Sequence, residues 1–509
     1  MREKPRVALY KTRYGYFTED GREFVITRHD TPSPWINVIS NGEYGLTFAS
    51  TGTGYSWLTH ARINRLTRCE QDLIKDEWGK FIYIRDNKTA SAWSLCYKPT
   101  CYWPDFYEVR HGIGYSRVKS KYKEIESTLL IFIPPTEDAE IWQVKIKNLS
   151  PYKRSIGVFS YIEWCLGEYP DWHREFHRTF LETFYNKNLQ AIFATKRLWQ
   201  IPGKNDDYMN KEWDYLAFHS LSEEPTSYTS DKESFIGMYR TFLNPKAIEN
   251  GMCNPREGKW LDAIGSLHIN LELEVNEEKT IAFVLGVSKT KSKAQEIIRK
   301  YKGQREVEKA FEDLKVFWED MLDKNSVSTP DKHLDILVNT WLKYQAISCR
   351  LWARTAYYQI GGAYGFRDQL QDSQIFLPLK SELTKNQILL HARHQFRDGI
   401  VWHWWDPIIE RGVKSAHTDD LLWLPFIIMD YIEETNDLNM LNENIPFLDT
   451  GEESLFEHAK KAIDLVLSRF SKRGLPLIGE GDWNDGLSNV GPKWKGESVW
   501  LGHFLYYIL

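Results

Sequence analysis

The hydrophobic pattern of the chain changes its period once, near Lys289, and this change most restricts the folds open to the sequence. Before it, apolar and polar residues alternate in short runs, as in 23–28, 80–85 and 266–274, with Gly, Asn and Pro between the runs. Alternation with period two is typical of strands that bury one face. We therefore predict a large antiparallel β-sandwich over residues 1–288.

Helical spacing begins immediately after this region. Ser292 and Gln295 have the spacing of a capping box, and the apolar residues that follow recur on one helical face. A second amphipathic segment covers 305–322. These patterns predict a helical linker over residues 289–328.

A longer helical region follows the linker. Thr329 precedes a proline and predicts an N-cap, and further helices are expected near 384–397, 418–434 and 454–472. The segments between them are rich in Gly, Pro and aromatic residues and are not strand-like. Successive helices joined by long loops are typical of an α/α toroid, which we predict over residues 329–509.

The composition excludes several classes of partner. The 65 basic and 70 acidic residues give a net charge of -5 without a long run of either sign, so we expect neither nucleic acid nor a membrane surface as a partner. The first ten residues lack the apolar core of a signal peptide, and no stretch reaches the ~18 apolar residues of a membrane span. The six cysteines form no C-x-x-C pair, which favours free thiols and gives no support for a metal. We expect a soluble cytoplasmic protein.

Three segments of the helical half combine carboxylates with Arg, Trp and Gly: 361–372, 401–420 and 479–485. Cleavage of a glycosidic bond requires a carboxylic acid that protonates the leaving oxygen. The chain is 14% aromatic and contains 21 Trp, and flat rings stack on sugars, although larger cores explain the same surplus. The three segments therefore predict a carbohydrate site.

Asp485 is the candidate acid. Gly481 permits a tight loop, Trp483 can stack on a sugar ring, and Asp485 can lie beside that indole. Desolvation there would keep the carboxyl protonated at neutral pH. An Asx turn that caps the next helix explains the same spacing.

Arg367 and Asp368 could hold adjacent sugar hydroxyls by charge-assisted hydrogen bonds, with Arg354 as a second cation. A buried salt bridge that closes the toroid explains the first two residues as well. Two other groups also have a structural explanation. Core packing explains Trp402, Trp404 and Trp405. A helix cap explains Thr418, Asp419 and Asp420.

Four motifs of the helical half occur in a fixed order: Gly-Phe-Arg-Asp-Gln-Leu-Gln-Asp at 365–372, Trp-His-Trp-Trp at 402–405, Thr-Asp-Asp-Leu-Leu-Trp at 418–423, and Gly-Glu-Gly-Asp-Trp-Asn-Asp at 479–485. With segments of the N-terminal half such as 24–28 and 31–37, this set resembles glycoside hydrolase family 94. That family contains cellobiose, cellodextrin and laminaribiose phosphorylases and the phosphorylase module of cyclic β-1,2-glucan synthases. The resemblance covers essentially the whole chain.

The resemblance implies a β-sandwich, a helical linker, an (α/α)6 barrel that is incomplete in this sequence, and a small C-terminal β domain. It implies inverting phosphorolysis of a β-linked gluco-disaccharide or oligosaccharide to a sugar 1-phosphate. Asp485 would be the general acid and inorganic phosphate the nucleophile. The implied substrate-binding residues are Arg354, Arg367, Asp368, Asp482 and Trp483. No metal or organic cofactor is implied, and the family is usually homodimeric.

Two features differ from the family pattern. Residues 361–365 lack an arginine that cellobiose-type members carry, which disfavours cellobiose as the substrate. The phosphate-binding His and Thr/Ser-Gly segments of the family lie downstream of the Asp-Trp-Asn-Asp motif, in a stretch that this sequence does not contain. Since Leu509 lies within an apolar helical run, we expect a truncated barrel that depends on a downstream polypeptide.

Two other functions remain open. An inverting hydrolase would need a second carboxylate as its base, for which Glu480 and Asp372 are the candidates. A catalytically incomplete fragment would bind carbohydrate weakly or act as an interaction module, and its open barrel would expose apolar helix faces.

Overall fold

The computed structural model describes residues 8–70, 72, 74–168, 178–197, 213–357 and 359–509. The described residues divide into two compact units. The first comprises those of Met1–Asp320 together with Thr355–Gly361, and the second comprises Met321–Arg354 and Gly362–Leu509. The predicted division into residues 1–288, 289–328 and 329–509 stays a prediction.

The first unit is a two-sheet antiparallel sandwich. Its strands β1 to β20 are, in chain order, Gly15–Phe17, Glu23–Ile26, Ile36–Ser40, Tyr44–Ala49, Ser56–Leu58, Arg65–Thr67, Phe81–Asp86, Ala92–Ser94, Phe106–Gly112, Tyr115–Tyr122, Ile125–Phe132, Ala139–Asn148, Arg154–Gly167, Leu181–Asn186, Ala191–Lys196, Leu216–Leu221, Ser227–Asp231, Gly258–Lys259, Ala263–Leu273 and Glu278–Ser288. All the runs with period two named above form strands, so the predicted sandwich is confirmed.

Within the described residues, one sheet has eleven strands in the order β1-β2-β9-β10-β11-β12-β20-β16-β15-β14-β18. The other has the order β17-β19-β13-β6-β5-β4-β3, and β7 joins it through β13 and carries β8. The register places apolar residues opposite one another, as in the pair Leu129 and Val144. The inner faces of both sheets form one apolar core, because strand residues on the same face recur with period two.

Two short helices, α1 Lys232–Ile236 and α2 Lys246–Asn250, lie between strands β17 and β18 of the sandwich. Helices α3 and α4, Lys291–Lys300 and Gln304–Leu322, follow β20 and bury their apolar stripes. The predicted cap of α3 is wrong, because the side chain of Thr290, not Ser292, accepts the hydrogen bond from the Lys293 amide.

The second unit is helical. It begins with consecutive turns, α5 Lys332–Ile336, a π-helical segment Leu337–Trp341, α6 Leu342–Gln345 and a π-helical segment Ala346–Ala353. The later helices α7 to α11 are Phe366–Ser373, Leu377–Ala392, Asp420–Thr435, Leu455–Leu467 and Val499–Ile508. They enclose an apolar core of their own.

Two details of this unit differ from the sequence prediction. Asp331, not Thr329, caps α5, and the Thr329 hydroxyl instead donates to Asp335 at 2.8 Å. The aromatic segment between α8 and α9 was predicted to lack strands. It contains β22 and β23, Trp402–Asp406 and Arg411–Lys414, which pair with each other, and β22 also pairs with β21, Tyr364–Gly365. A second short ladder joins β24 and β25, Asn444–Pro446 and Glu452–Ser454.

In the part of the chain that the structure describes, no helix combines the length and the apolar character needed to cross a bilayer.

Candidate functional site

Two loops of the helical unit run side by side and carry the candidate acid. His417 forms backbone bridges with Gly479 and Gly481, and the Thr418 amide donates to the Gly481 carbonyl at 3.2 Å. A Cβ at position 481 would lie 2.5 Å from the His417 ring, so this close approach requires glycine. The loop that ends in Asp485 is thereby fixed against the segment that begins α9.

Arg367, in the first turn of α7, joins these loops. Its Nη2 donates to both carboxylate oxygens of Asp485, at 2.8 and 3.0 Å. Its Nη1 donates to Asp419 Oδ2 at 3.1 Å and to the Asp482 carbonyl at 3.0 Å. Burial opposes the charge of Arg367, but the Asp419 and Asp485 carboxylates raise its pKa above the ordinary value. Arg367 therefore takes part in a salt bridge, but its acidic partners are Asp419 and Asp485 and not Asp368, which the sequence analysis had grouped with it.

Asp485 is open to solvent, with 63% of its side chain exposed. The prediction that the Asp485 carboxyl is desolvated beside an indole is therefore wrong. The carboxyl faces solvent and accepts two hydrogen bonds from Arg367. Asp485 begins a single 3-10 turn, Asp485–Leu487, whose N-cap is Asn484. The exposure leaves the carboxyl accessible to a ligand.

The remaining residues of the Asp-Trp-Asn-Asp motif have two kinds of environment. Asp482 is buried and accepts hydrogen bonds from the Asn484 amide at 2.9 Å and the Ser498 hydroxyl at 2.6 Å. The Asx turn that the sequence left open as a cap for the next helix is formed by Asn484, whose side chain accepts from the Gly486 amide at 3.0 Å. Trp483 is 54% exposed and is available for stacking. The geometry thus gives Asp482 a structural role within the loop.

Arg354 and Asp368 lie close together. Arg354 has the left-handed backbone conformation at φ 47°, donates to the Ala363 carbonyl, and places Nη2 3.6 Å from Asp368 Oδ2. Asp368 keeps 44% of its side chain exposed, so its carboxylate can accept hydrogen bonds from a ligand.

The tryptophan cluster is divided between core and surface. Trp405 is fully buried and stacks on His394 with ring centroids 4.1 Å apart, whereas Trp404 is 39% exposed. Trp402 is half-buried and contacts Phe396 edge to face. The core explanation holds for Trp405.

The two candidate bases for hydrolysis have other surroundings. Asp372 pairs with Arg350 at 2.8 Å, and burial raises the pKa of its carboxyl. Glu480 is exposed, and its amide donates to the Ala416 carbonyl.

Asp419 and Asp420, at the start of α9, are buried acids and not simple helix caps. Asp419 also accepts from Trp423 Nε1 at 3.2 Å, and its second oxygen is buried without a hydrogen-bond partner. Burial, followed by the neighbouring Asp420 carboxylate, raises the pKa of Asp419. The capping role considered for Thr418 is not observed, because its hydroxyl donates to the Leu477 carbonyl at 2.8 Å and so links the two loops.

Two histidines that the sequence analysis did not single out lie beside Asp485. His417 places Nε2 3.8 Å from Asp485 Oδ1, and its ring stacks on that of His403 with centroids 4.3 Å apart and planes inclined by 3°. His403 Nδ1 bonds Asp420 Oδ2 at 2.8 Å. Both histidines lie in or next to the quoted motifs, but the contact between distant loops has no periodic signature.

Among the described residues, His403, His417 and Asp420 each offer one donor atom within 4.8 Å of the others. An ion bound by imidazole lies close to the plane of the ring. The two rings are nearly parallel and stacked, and Nδ1 of His403 is already bonded to Asp420. We do not assign a metal site to this cluster.

Comparisons with known proteins show the family to which the chain belongs. Residues 22–304 match the model "Glycosyl hydrolase 94, supersandwich domain", and residues 317–509 match "Glycosyl hydrolase 94 superfamily, catalytic domain". The chain is 32% identical to the cyclic beta-(1,2)-glucan synthase NdvB of Rhizobium meliloti (strain 1021), over 97% of this chain and 18% of that protein. It is 30% identical to the N,N'-diacetylchitobiose phosphorylase of Vibrio proteolyticus, over 98% of this chain and 64% of that protein. The chain thus spans less than two thirds of either relative.

Among solved structures, a kojibiose phosphorylase from the human microbiome superposes with a TM-score of 0.54 at 10% identity, covering 92% of this chain and 62% of that chain. A bacterial glucoamylase complexed with acarbose gives a TM-score of 0.50 at 8% identity, covering 90% of this chain and 72% of that chain. At these identities the likeness concerns the fold. The predicted fold class, a β-sandwich followed by a helical domain like that of (α/α)6-barrel proteins, is confirmed.

Proposed function

Because the chain belongs to glycosyl hydrolase family 94, we propose that it catalyses inverting phosphorolysis of a β-linked gluco-disaccharide or oligosaccharide, with Asp485 as the general acid. The observation that carries this proposal is the bidentate pair between Arg367 and an exposed Asp485 carboxyl. The pair fixes the orientation of an acid that solvent and ligand can reach. Relatives whose names describe phosphorylases of several disaccharides support the reaction class.

The proposed reaction has simple bond changes. Asp485 gives its proton to the glycosidic oxygen while that oxygen leaves the anomeric carbon. A phosphate oxygen forms the new bond on the opposite face, so a β-glycoside gives an α-sugar 1-phosphate. In its protonated form the carboxyl has a donor on one oxygen, and it must give up part of its contact with Arg367, which is itself a donor.

The substrate-binding residues in this proposal are Arg354, Arg367, Asp368 and Trp483. Trp483 would stack on the sugar, and Asp368 would accept hydrogen bonds from the hydroxyls of the glucosyl unit. Asp482 contributes through the loop turn. Inorganic phosphate is the second substrate. We propose that the groups that bind phosphate come from a larger assembly, and that this assembly is homodimeric and cytoplasmic.

The decisive measurement is the dependence of sugar 1-phosphate release on added phosphate. The chain is incubated with β-linked glucose disaccharides of different linkage, with and without phosphate, and products are identified by ³¹P NMR. We expect an α-sugar 1-phosphate only with phosphate. Equal cleavage without phosphate would instead establish the hydrolase, and Glu480→Gln and Asp372→Asn would then identify its base.

One observation favours the alternative of an incomplete fragment that acts as an interaction module. On α11, Leu501 and Leu505 are buried, whereas Tyr506 is 83% and Tyr507 62% exposed. Exposed apolar residues on one helix face favour association with another polypeptide. In that case the purified chain would bind oligosaccharide in calorimetry without turnover and would self-associate in light scattering.

A further inference from the structure

His417 is the neighbour of Asp485 that the proposed function leaves unused. Its Nε2 lies 3.8 Å from Asp485 Oδ1, which is too long for a hydrogen bond in this state. The ring has little freedom, because 13% of the side chain is exposed, Gly481 packs against one edge and the backbone pairs with Gly479 and Gly481. A rigid ring this close to the carboxyl can accept a hydrogen bond from its O–H after a small rotation of the carboxyl.

The surroundings of the two stacked histidines differ. His403 is bonded to Asp420, a fully buried carboxylate that also accepts a hydrogen bond from Ser415. This bond raises the pKa of His403. Burial, and then the adjacent His403, lower the pKa of His417. Two imidazolium ions stacked 4.3 Å apart repel, so a positive charge is favoured on His403 over His417.

The charged groups around His417 come from four elements. Asp485 lies on the 3-10 turn, His403 on β22, Asp420 on α9 and Arg367 on α7. Arg367 and a charged His403 disfavour a further cation, whereas the two carboxylates favour it. With the burial of the ring added, the balance favours the neutral imidazole at His417.

We propose that His417 is a positioning residue for the general acid, whose neutral Nε2 holds the protonated Asp485 carboxyl after it turns away from Arg367. A protonated carboxyl cannot keep both hydrogen bonds from a guanidinium, because its O–H is a donor. Oδ1 is the oxygen on the His417 side, so the released O–H finds an acceptor there. The inference rests on the proposed function and deepens it, because it assigns the group that stabilises the proton-carrying state of the acid.

The pH profile of kcat/KM for phosphorolysis tests this role. General-acid activity falls as the pH rises and the acid loses its proton. Removal of an acceptor that stabilises the protonated form moves that basic limb to lower pH, and we expect His417→Ala to shift it by about 0.5–1 pH unit. His417→Gln keeps an acceptor oxygen, so its basic limb should lie close to that of the unaltered chain. His333→Ala, at an exposed histidine of α5, is the matched control and should leave the profile unchanged.

An unchanged basic limb in His417→Ala, or a shift to higher pH, overturns the proposal, since the second result means that His417 acts as a cation. Thermal melts of both variants establish whether they fold. If His417→Ala does not fold, the same comparison is made with His417→Gln and His417→Asn.

A second measurement does not depend on turnover. Ring ¹⁵N signals of His403 and His417 are titrated in the full chain and in Asp485→Asn, a change at an exposed side chain. Coupling requires that loss of the Asp485 carboxylate lowers the pKa of His417 by more than it lowers the pKa of His403. An unaffected His417 overturns the inference. If the chain releases no sugar phosphate while the coupling is found, the proposed function fails and the pairing of His417 with Asp485 stands.

Discussion

Asp485→Asn is expected to lower kcat for phosphorolysis of an unactivated disaccharide by about 10²–10⁴-fold, the usual contribution of a general acid. The amide cannot donate a proton to the departing glycosidic oxygen. The change is nearly isosteric at a side chain that is 63% exposed, so the fold and the Arg367 contact with the remaining oxygen should persist. Initial rates at saturating phosphate measure the loss.

The leaving group separates a role in proton transfer from a role in binding. The phenolate of an aryl β-glucoside with a strongly acidic phenol can leave without being protonated. Asp485→Asn should therefore lose far less activity on this substrate than on a disaccharide. Glu480→Gln, in the same loop, is the matched control and should keep full activity. Equal losses on both substrates, or a loss at Glu480 and none at Asp485, would contradict the assignment of the acid.

The sequence could predict the site only in part, for physical reasons that differ between residues. Arg367 and Asp485 were identified because carboxylate, arginine and tryptophan near glycine have a recognisable chemistry. Their direct ion pair could not be predicted, because it joins two loops that are distant in the chain. His417 was missed because its contact with Asp485 depends on backbone pairing with Gly479 and Gly481, which leaves no periodic pattern.

The sandwich and the helical unit were predicted because the hydrophobic period directly reflects which face of an element is buried. Helix starts were less certain. At α3, α5 and α9 several Ser, Thr or Asp residues are adjacent, and each can cap a helix equally well by type. The choice among them depends on tertiary contacts, as when Thr418 donates to the Leu477 carbonyl and leaves Asp419 at the N-cap position.

The sandwich also contains a buried ion pair that no periodic pattern indicates. Lys80 Nζ lies 2.9 Å from Glu140 Oε1, and the two side chains are 1% and 0% exposed. Glu140 also accepts hydrogen bonds from Ser56, from Trp142 Nε1 at 2.7 Å and from the Tyr44 hydroxyl at 3.3 Å. Burial lowers the pKa of Lys80 even though Glu140 opposes this effect. A charge in this position depends on its partner.

Glu140→Ala is expected to lower the free energy of unfolding by about 3–5 kcal/mol, because it leaves the Lys80 ammonium buried without a counter-charge. Urea denaturation followed by tryptophan fluorescence measures the change. Glu274→Ala, which removes one acidic partner of the exposed Lys153, is the control and should leave the free energy of unfolding nearly unchanged. The double variant Lys80→Met with Glu140→Leu should recover much of the loss, since it removes both charges and refills the volume. A double variant no more stable than Glu140→Ala would show that the hydrogen bonds to Ser56, Trp142 and Tyr44, and not the unpaired charge, dominate the effect.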